Sequence, residues 1–139
     1  MKKITLTCAH AIVKYLIAQK ILINGKKEPL FPGVFGIFGH GNVACLGQAL
    51  EENQKELPTY RGHHEQNMAL TGIGYARAKR RQQIFVATSS VGPGATNMVT
   101  AAAVTKFVDP GPTELVATKI CFLLLALEYA TPVKAIFCS

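Results

Sequence analysis

Polar residues that could do chemistry stand beside glycines at three places in the sequence. They are the segment Gly39-His40-Gly41-Asn42, the segment His63-His64-Glu65, and the segment 89–97, which includes Ser89, Ser90, Pro93 and Asn97. Glu65 is the carboxylate in this set and is therefore the candidate for proton transfer. A glutamate at the start of a helix also stabilises the helix dipole, and the residue pattern alone favours this structural role.

Common catalytic motifs do not account for these residues. Gly39-x-Gly41 does not complete the G-x-G-x-x-G of a dinucleotide site, and the sequence contains no P-loop. Ser90 lacks the G-x-S-x-G elbow of a serine hydrolase, and Asp109 is the only Asp that could complete a triad. His63 and His64 are adjacent, so they would point in different directions on a helix. We therefore expect no metal ion bound by these residues.

The composition is typical of one globular domain with a basic surface. The chain has 139 residues, 49% of them apolar, with 15 basic and 8 acidic residues. The basic residues are scattered, except for a cluster at positions 77–81. Cations are favourable at the carboxyl end of a helix, so this cluster indicates a solvated helix end and not a nucleic-acid surface. We expect no nucleic-acid partner.

The cysteines and the apolar runs indicate a cytoplasmic protein. Cys8, Cys45, Cys121 and Cys138 are far apart in the sequence, which favours reduced thiols over a zinc site or a set of disulfides. The longest apolar run, residues 120–127, is too short to span a bilayer. We expect no membrane association.

Helical and extended segments alternate along the chain. Thr7 is a good N-cap, and apolar residues recur after it at helical spacing to about Lys20. The further predicted elements are a short extended piece at 21–23 with an Asn24-Gly25 turn, a loop through Pro29 and Pro32, a strand at 34–38, a helix to about Glu51, a short strand at Thr59-Tyr60, a helix at 64–80, a strand at 83–88, and an Ala-rich helix from about Ala95.

This alternation predicts an α/β fold, a parallel sheet with helices on both faces. In such sheets the loops that follow the carboxyl ends of the strands form the binding site. Two glycine-rich loops occupy such positions, residues 39–42 and residues 89–94. Glycine lets a ligand approach the backbone closely, so we expect Glu65 to lie near both loops.

Four sequence segments, taken in order, resemble the pyrimidine-binding domain of the acetolactate-synthase-like thiamine-diphosphate enzymes. The segments are Gly33-Val34-Phe35-Gly36-Ile37-Phe38-Gly39, His64-Glu65-Gln66-x-Met68-Ala69, Gly74-Tyr75-Ala76-Arg77-Ala78, and Gly92-Pro93-Gly94-Ala95-Thr96-Asn97. The resemblance covers residues 3–103. Within that superfamily the loop at 37–42, the stretch Arg80-Arg81-Gln82 and the run Ile4-Thr5-Leu6-Thr7 resemble a hydrolase branch that acts in inositol breakdown.

The resemblance implies roles for particular residues. Glu65 would be the helix-borne glutamate that hydrogen-bonds N1′ of the cofactor's aminopyrimidine, and the cofactor would supply the reactive carbon. Pro93, Asn97 and Gly39 would lie near the pyrimidine ring. His40 and Asn42 would lie on the substrate side. The reaction implied is hydrolysis of a carbon–carbon bond in a cyclic diketone, which releases an open-chain acid.

The sequence departs from that family in two respects. The family's second half carries a Gly-Asp-Gly motif for Mg²⁺ and the diphosphate, whereas Asp109 here precedes Pro110. We therefore expect the chain to hold only the pyrimidine end of the cofactor and to be inactive alone. After Val104 the segment 106–112 is expected to break the helix, so residues 1–104 would be an incomplete domain. Residues 105–139 would then be either a frameshifted tail or an insertion after which a strand resumes at 131–137.

Several functional alternatives remain open from the sequence. The chain is interpreted as a fragment of a hydrolase, as a fragment of an acetolactate-synthase-like condensing enzyme, or as a non-catalytic subunit that pairs with a separate diphosphate-binding chain. In the intact enzyme the partner would be the diphosphate-binding domain of a second subunit, in a homo-oligomer. Small and apolar residues of the two later helices are expected to face it: Met68, Ala69, Gly72, Ile73, Ala101 and Ala102.

Overall fold

The computed structural model describes the backbone of residues 4–108 and the side chains of residues 4–104. The strands are β1 (Lys20–Ile23), β2 (Lys26–Pro29), β3 (Val34–Gly36), β4 (Thr59–Arg61) and β5 (Val86–Thr88). The helices are α1 (Cys8–Ala18), α2 (His40–Asn42), α3 (Gln48–Glu52), α4 (Glu65–Ala78) and α5 (Pro93–Val108), and a π-helical segment (Val43–Gly47) joins α2 to α3.

A three-stranded parallel sheet lies at the centre of the domain. Its strand order is β4-β3-β5, and Val34 of β3 lies between Thr59 of β4 and Val86 of β5. Strands β1 and β2 form a separate antiparallel hairpin closed by Asn24 and Gly25, both of which have positive φ. The predicted α/β fold with a parallel sheet is confirmed.

One face of the sheet is covered by α1 and α3. The side chains of Val34 and Val86 point to this face and join a cluster of buried apolar residues, which also includes Val13, Leu16, Phe31, Leu46, Ala49, Leu50 and Leu57. Burying one such leucine or valine contributes about 1.5–3 kcal/mol. This cluster is therefore the main source of stability for the strands that carry the loops.

The opposite face carries an aromatic cluster under α4. The ring centroid of Phe85 lies 4.6 Å from that of Phe35 and 4.8 Å from that of Tyr75. Helix α4 comes close to this cluster at Gly72, where an added Cβ would lie 3.7 Å from Phe85 Cβ. At Gly33 an added Cβ would lie only 2.7 Å from Phe85 Cε1, so no larger residue fits there without displacing its neighbours.

A hydrogen-bonded pair joins α1 to α3 at the domain surface. The Thr7 hydroxyl caps α1 by accepting a hydrogen bond from the His10 backbone N–H at 3.2 Å. His10 Nε2 donates to Glu52 Oε2 at 2.8 Å. This hydrogen bond, together with a second one from the Gln48 side chain, lowers the pKa of the exposed Glu52 carboxyl below its ordinary value of 4.5.

Several boundaries differ from the sequence prediction. Strand β2 falls in a segment predicted to be a loop, and the strands predicted at 34–38 and 83–88 are only three residues long. Helix α5 begins at Pro93 instead of Ala95, because proline is favourable in a first helical turn. The helix continues through Val108, the third residue of the segment 106–112 that was expected to break it, so residues 106–108 are still helical. The predictions for residues 109–139 lie outside the described residues.

The prediction that small and apolar residues of α4 and α5 face a partner is wrong for two of these residues. The two helices pack on each other, and Met68 and Ala101 are buried within the domain. The large apolar side chains that stay exposed in α5 and in the loop before it are Val91, Val99 and Val104.

Over the described part of the chain no helix is both long and apolar enough to cross a membrane.

Candidate functional site

The carboxyl ends of the three parallel strands meet at one edge of the sheet. The backbone N–H of Gly62 donates to Gly36 O at 3.1 Å, and that of Ile37 donates to Thr88 O at 3.0 Å. These two bonds extend the pairing one residue beyond the strands. The loops that follow β3, β4 and β5 therefore emerge side by side, and they carry the three polar segments described above.

Glu65 is buried at this edge. It is the first residue of α4, four residues after the end of β4, and 8% of its surface is exposed. The Ser90 hydroxyl donates a hydrogen bond to Glu65 Oε1 at 2.8 Å. Among residues 4–104, no second hydrogen bond to the Glu65 side chain is found. Oε2 therefore has no donor among the described side chains.

Gly94 provides the space in which the Glu65 carboxyl lies. A Cβ atom built on Gly94 would be 2.9 Å from Glu65 Cδ and nearer still to Glu65 Oε1 and Ser90 Oγ. Gly94 is the second residue of α5, so the carboxyl also lies at the positive end of that helix. Gly92, with φ of 67°, turns the chain into α5, and its carbonyl accepts from the Thr96 N–H at 3.0 Å.

The other predicted site residues lie around this edge. Pro93 is exposed as the first residue of α5, and Asn97 is half-buried one turn later. Gly39 caps α2, and its carbonyl accepts from the N–H groups of Asn42 and Val43 at 3.2 Å each. His40 is exposed and Asn42 is half-buried.

The loop after β5 contacts Glu65, as the sequence predicted. Ser90 and Gly94, which make these contacts, were not predicted as site residues. They are far from Glu65 in sequence, and the contacts depend on where the strand order places the loop after β5. No local spacing in the sequence signals them.

The residues present fit one end of an aminopyrimidine cofactor and do not fit its metal. A buried carboxylate with one oxygen available is a suitable acceptor or proton-sharing partner for a ring nitrogen. Mg²⁺ needs several oxygen ligands, and within residues 4–108 no group of three His, Cys, Asp or Glu residues is placed to hold an ion.

Comparison with known proteins identifies the family. Residues 28–107 match the family described as "Thiamine pyrophosphate enzyme, N-terminal TPP binding domain". No solved structure matches the chain.

Proteins named 3D-(3,5/4)-trihydroxycyclohexane-1,2-dione hydrolase are similar over 103 residues. The one from Geobacillus thermodenitrificans (strain NG80-2) is 55% identical, and those from Clostridium tetani (strain Massachusetts / E88) and Bacillus thuringiensis (strain Al Hakam) are 50% identical. The match covers 74% of this chain and 16% of each relative, so the chain spans only a small part of their length. The resemblance to thiamine-diphosphate enzymes, and among them to hydrolases of this name, is confirmed. The chain belongs to the thiamine pyrophosphate enzymes, as an N-terminal TPP-binding domain.

Proposed function

We propose that the chain provides the pyrimidine end of the thiamine-diphosphate site in a hydrolase that cleaves trihydroxycyclohexane-1,2-dione. The observation that carries this proposal is the buried Glu65 carboxyl, held through one oxygen by Ser90 at the edge where the strands end. The 50–55% identity to hydrolases of that name supports the choice of substrate.

Glu65 would act through the oxygen that Ser90 leaves available. When bound, thiamine diphosphate supplies the nucleophilic carbon for attack on a carbonyl of the dione. Glu65 Oε2 would share a proton with N1′ of the aminopyrimidine, and burial would exclude water from that proton. Pro93, Asn97 and Gly39 would border the pyrimidine ring.

His40 and Asn42 would lie on the substrate side. They are the first and last residues of α2, which follows β3 at the sheet edge shared with Glu65. His40 is exposed, so its imidazole is accessible to a bound dione.

Mg²⁺ and the diphosphate would be bound by a second domain from another subunit. The sequence supports this division, because its single Asp, Asp109, precedes Pro110 and does not form a Gly-Asp-Gly motif. On this proposal residues 1–104 form the pyrimidine-binding unit, and residues 105–139 diverge from the family. The 139-residue chain alone would be inactive.

A chimera tests the function without requiring the chain to act alone. The 103 matched residues of the Geobacillus relative are replaced by those of this chain, and turnover of the dione is measured with thiamine diphosphate and Mg²⁺. We expect activity within about tenfold of the relative, and a loss of at least about 100-fold in the Glu65→Gln chimera, because glutamine keeps the shape but cannot exchange the proton.

The exposed Glu56→Gln serves as the matched control and should leave turnover unchanged. A folded chimera that condenses 2-oxo acids and leaves the dione intact would contradict the proposal and favour a synthase. A folded Glu65→Gln chimera with the turnover of the unaltered chimera would show that Glu65 is not the proton-sharing group.

A further inference from the structure

We propose that Ser90 and Gly94 are positioning residues, which together fix the Glu65 carboxyl so that Oε1 is occupied and Oε2 faces the ligand. This inference rests on the proposed function, since it assigns to the loop after β5 the task of orienting the proton-sharing group. Neither residue would itself touch the reacting atoms.

The first part of the argument is the freedom of a glutamate side chain. The terminal torsion of Glu is broad and roughly two-fold, so an unheld carboxyl exchanges its two oxygens and varies its plane. The Ser90 hydroxyl donates to Oε1 at 2.8 Å, the usual length of an O–H···O hydrogen bond. No other hydrogen bond holds the Glu65 side chain within residues 4–104, so its orientation depends on this serine.

The second part is the close contact at Gly94. The α-carbon of Gly94 lies so near the pair that an added Cβ would overlap both Ser90 Oγ and Glu65 Oε1. The first turn of α5 therefore closes one side of the carboxyl and limits rotation toward that side. Because Gly94 sits in α5 and Glu65 in α4, the contact also ties the carboxyl to the packing of these two helices.

The neighbouring serine provides a matched control within the same loop. Ser89 is 2% exposed, and its hydroxyl has no hydrogen-bond partner among the described residues. Ser89→Ala and Ser90→Ala remove the same atom from adjacent positions, but only the second removes a bond to Glu65. A general effect of loop packing would appear in both variants, whereas loss of positioning would appear in Ser90→Ala alone.

The first experiment needs neither cofactor nor turnover. The purified 139-residue chain is labelled with ¹³C at glutamate carboxyls, and the Glu65 signal is assigned by its absence in Glu65→Gln. We expect Ser90→Ala to move this signal, Ser90→Thr to restore it because threonine keeps the hydroxyl, and Ser89→Ala to leave it unchanged. An unmoved Glu65 signal in Ser90→Ala would overturn the positioning role.

The second experiment measures thiamine diphosphate affinity and turnover in the chimera. We expect Ser90→Ala to lower kcat about tenfold while KM for the dione changes less than about threefold, with Ser90→Thr near the unaltered value. Gly94→Ala should weaken cofactor affinity at least about tenfold, as read by calorimetry, while Gly74→Ala, with open space around it, should not.

Equal losses in Ser89→Ala and Ser90→Ala would refute the inference and indicate loop packing. If Gly94→Ala fails to fold, the comparison of Ser89→Ala with Ser90→Ala still tests whether the loop after β5 positions Glu65. The two experiments also separate the inference from the proposed function. If the chimera is inactive on the dione, the Glu65 carboxyl signal of the 139-residue chain still tests the positioning role. If the chimera is active and Ser90→Ala leaves the signal unmoved, the proposed function is supported and the positioning role is refuted.

Discussion

Replacing Gly33 by alanine tests the packing that brings the three strands together. An alanine Cβ at this position would lie 2.7 Å from Phe85 Cε1, 2.8 Å from Pro58 O and 2.9 Å from Tyr60 Cε2. The two aromatic rings can shift, but Pro58 O is backbone and accepts the Val34 N–H at 2.9 Å, so it is held by the ladder between β3 and β4.

The cost follows from these contacts. Forcing a methyl group into a close-packed site costs about 1–3 kcal/mol. Weakening the Val34 to Pro58 hydrogen bond adds about 0.5–1.5 kcal/mol. We therefore expect Gly33→Ala to lower the free energy of unfolding by about 1.5–4.5 kcal/mol, and Tm by at least about 6 °C for a domain of this size.

The assay is urea and thermal unfolding of the purified chain, followed by far-ultraviolet circular dichroism. Gly74→Ala is the matched control, because Gly74 lies in the interior of α4 with nothing within 4 Å of an added Cβ. It should raise stability by about 0.5–1 kcal/mol, since alanine loses less backbone entropy in a helix. If Gly33→Ala unfolds within about 0.5 kcal/mol of the unaltered chain, the close approach of Phe85 and Pro58 to Gly33 is refuted.

Three further predictions concern the activity, the acid stability and the self-association of the purified chain. The purified chain should show no turnover of the dione or of 2-oxo acids with thiamine diphosphate and Mg²⁺, because its sequence contains no Gly-Asp-Gly motif, and steady turnover without a partner would contradict this. Because folding lowers the pKa of Glu52, its stabilising contribution is present above pH 4.5 and disappears as pH falls through the folded pKa. Glu52→Gln should therefore flatten the acid limb of stability measured by urea unfolding, and Glu56→Gln should not. We expect the purified chain to associate with itself through exposed apolar side chains of α5, among them Val99, which is 52% exposed. Val99→Lys should therefore lower the mass measured by light scattering, and an unchanged mass would exclude that surface.

The order and type of the elements could be predicted because periodicity and turn chemistry act locally. Thr7 predicted the start of α1, and Asn24-Gly25 predicted the tight turn after β1. Strand β2 was missed because its sequence, Lys26-Lys27-Glu28-Pro29, lacks apolar alternation. It becomes a strand because the turn places it beside β1, so its pairing is set by the neighbour and not by its own residues.

The candidate site could be predicted in part. Glu65 stood out as the carboxylate near glycine-rich loops, and its burial at the strand ends agrees with that expectation. The hydrogen bond from Ser90 could not be predicted, because it requires the β4-β3-β5 order and the entry angle of α5. The burial of Met68 was also missed, since the sequence does not show that α4 packs against α5.

The position of β3 between two later strands has a consequence for the order of folding. The β1–β2 hairpin and the capped start of α1 need only contacts between near neighbours in the chain, which form quickly. Strand β3 must wait for β4 and then β5 to emerge during synthesis, and until β5 arrives one side of β3 has unpaired N–H and C=O groups. The bond from Ser90 to Glu65 follows β5, so the site is assembled last. A ribosome stalled before Val86 would hold a chain whose β3 has no β5 to pair with and whose Glu65 has no Ser90 hydroxyl to accept from.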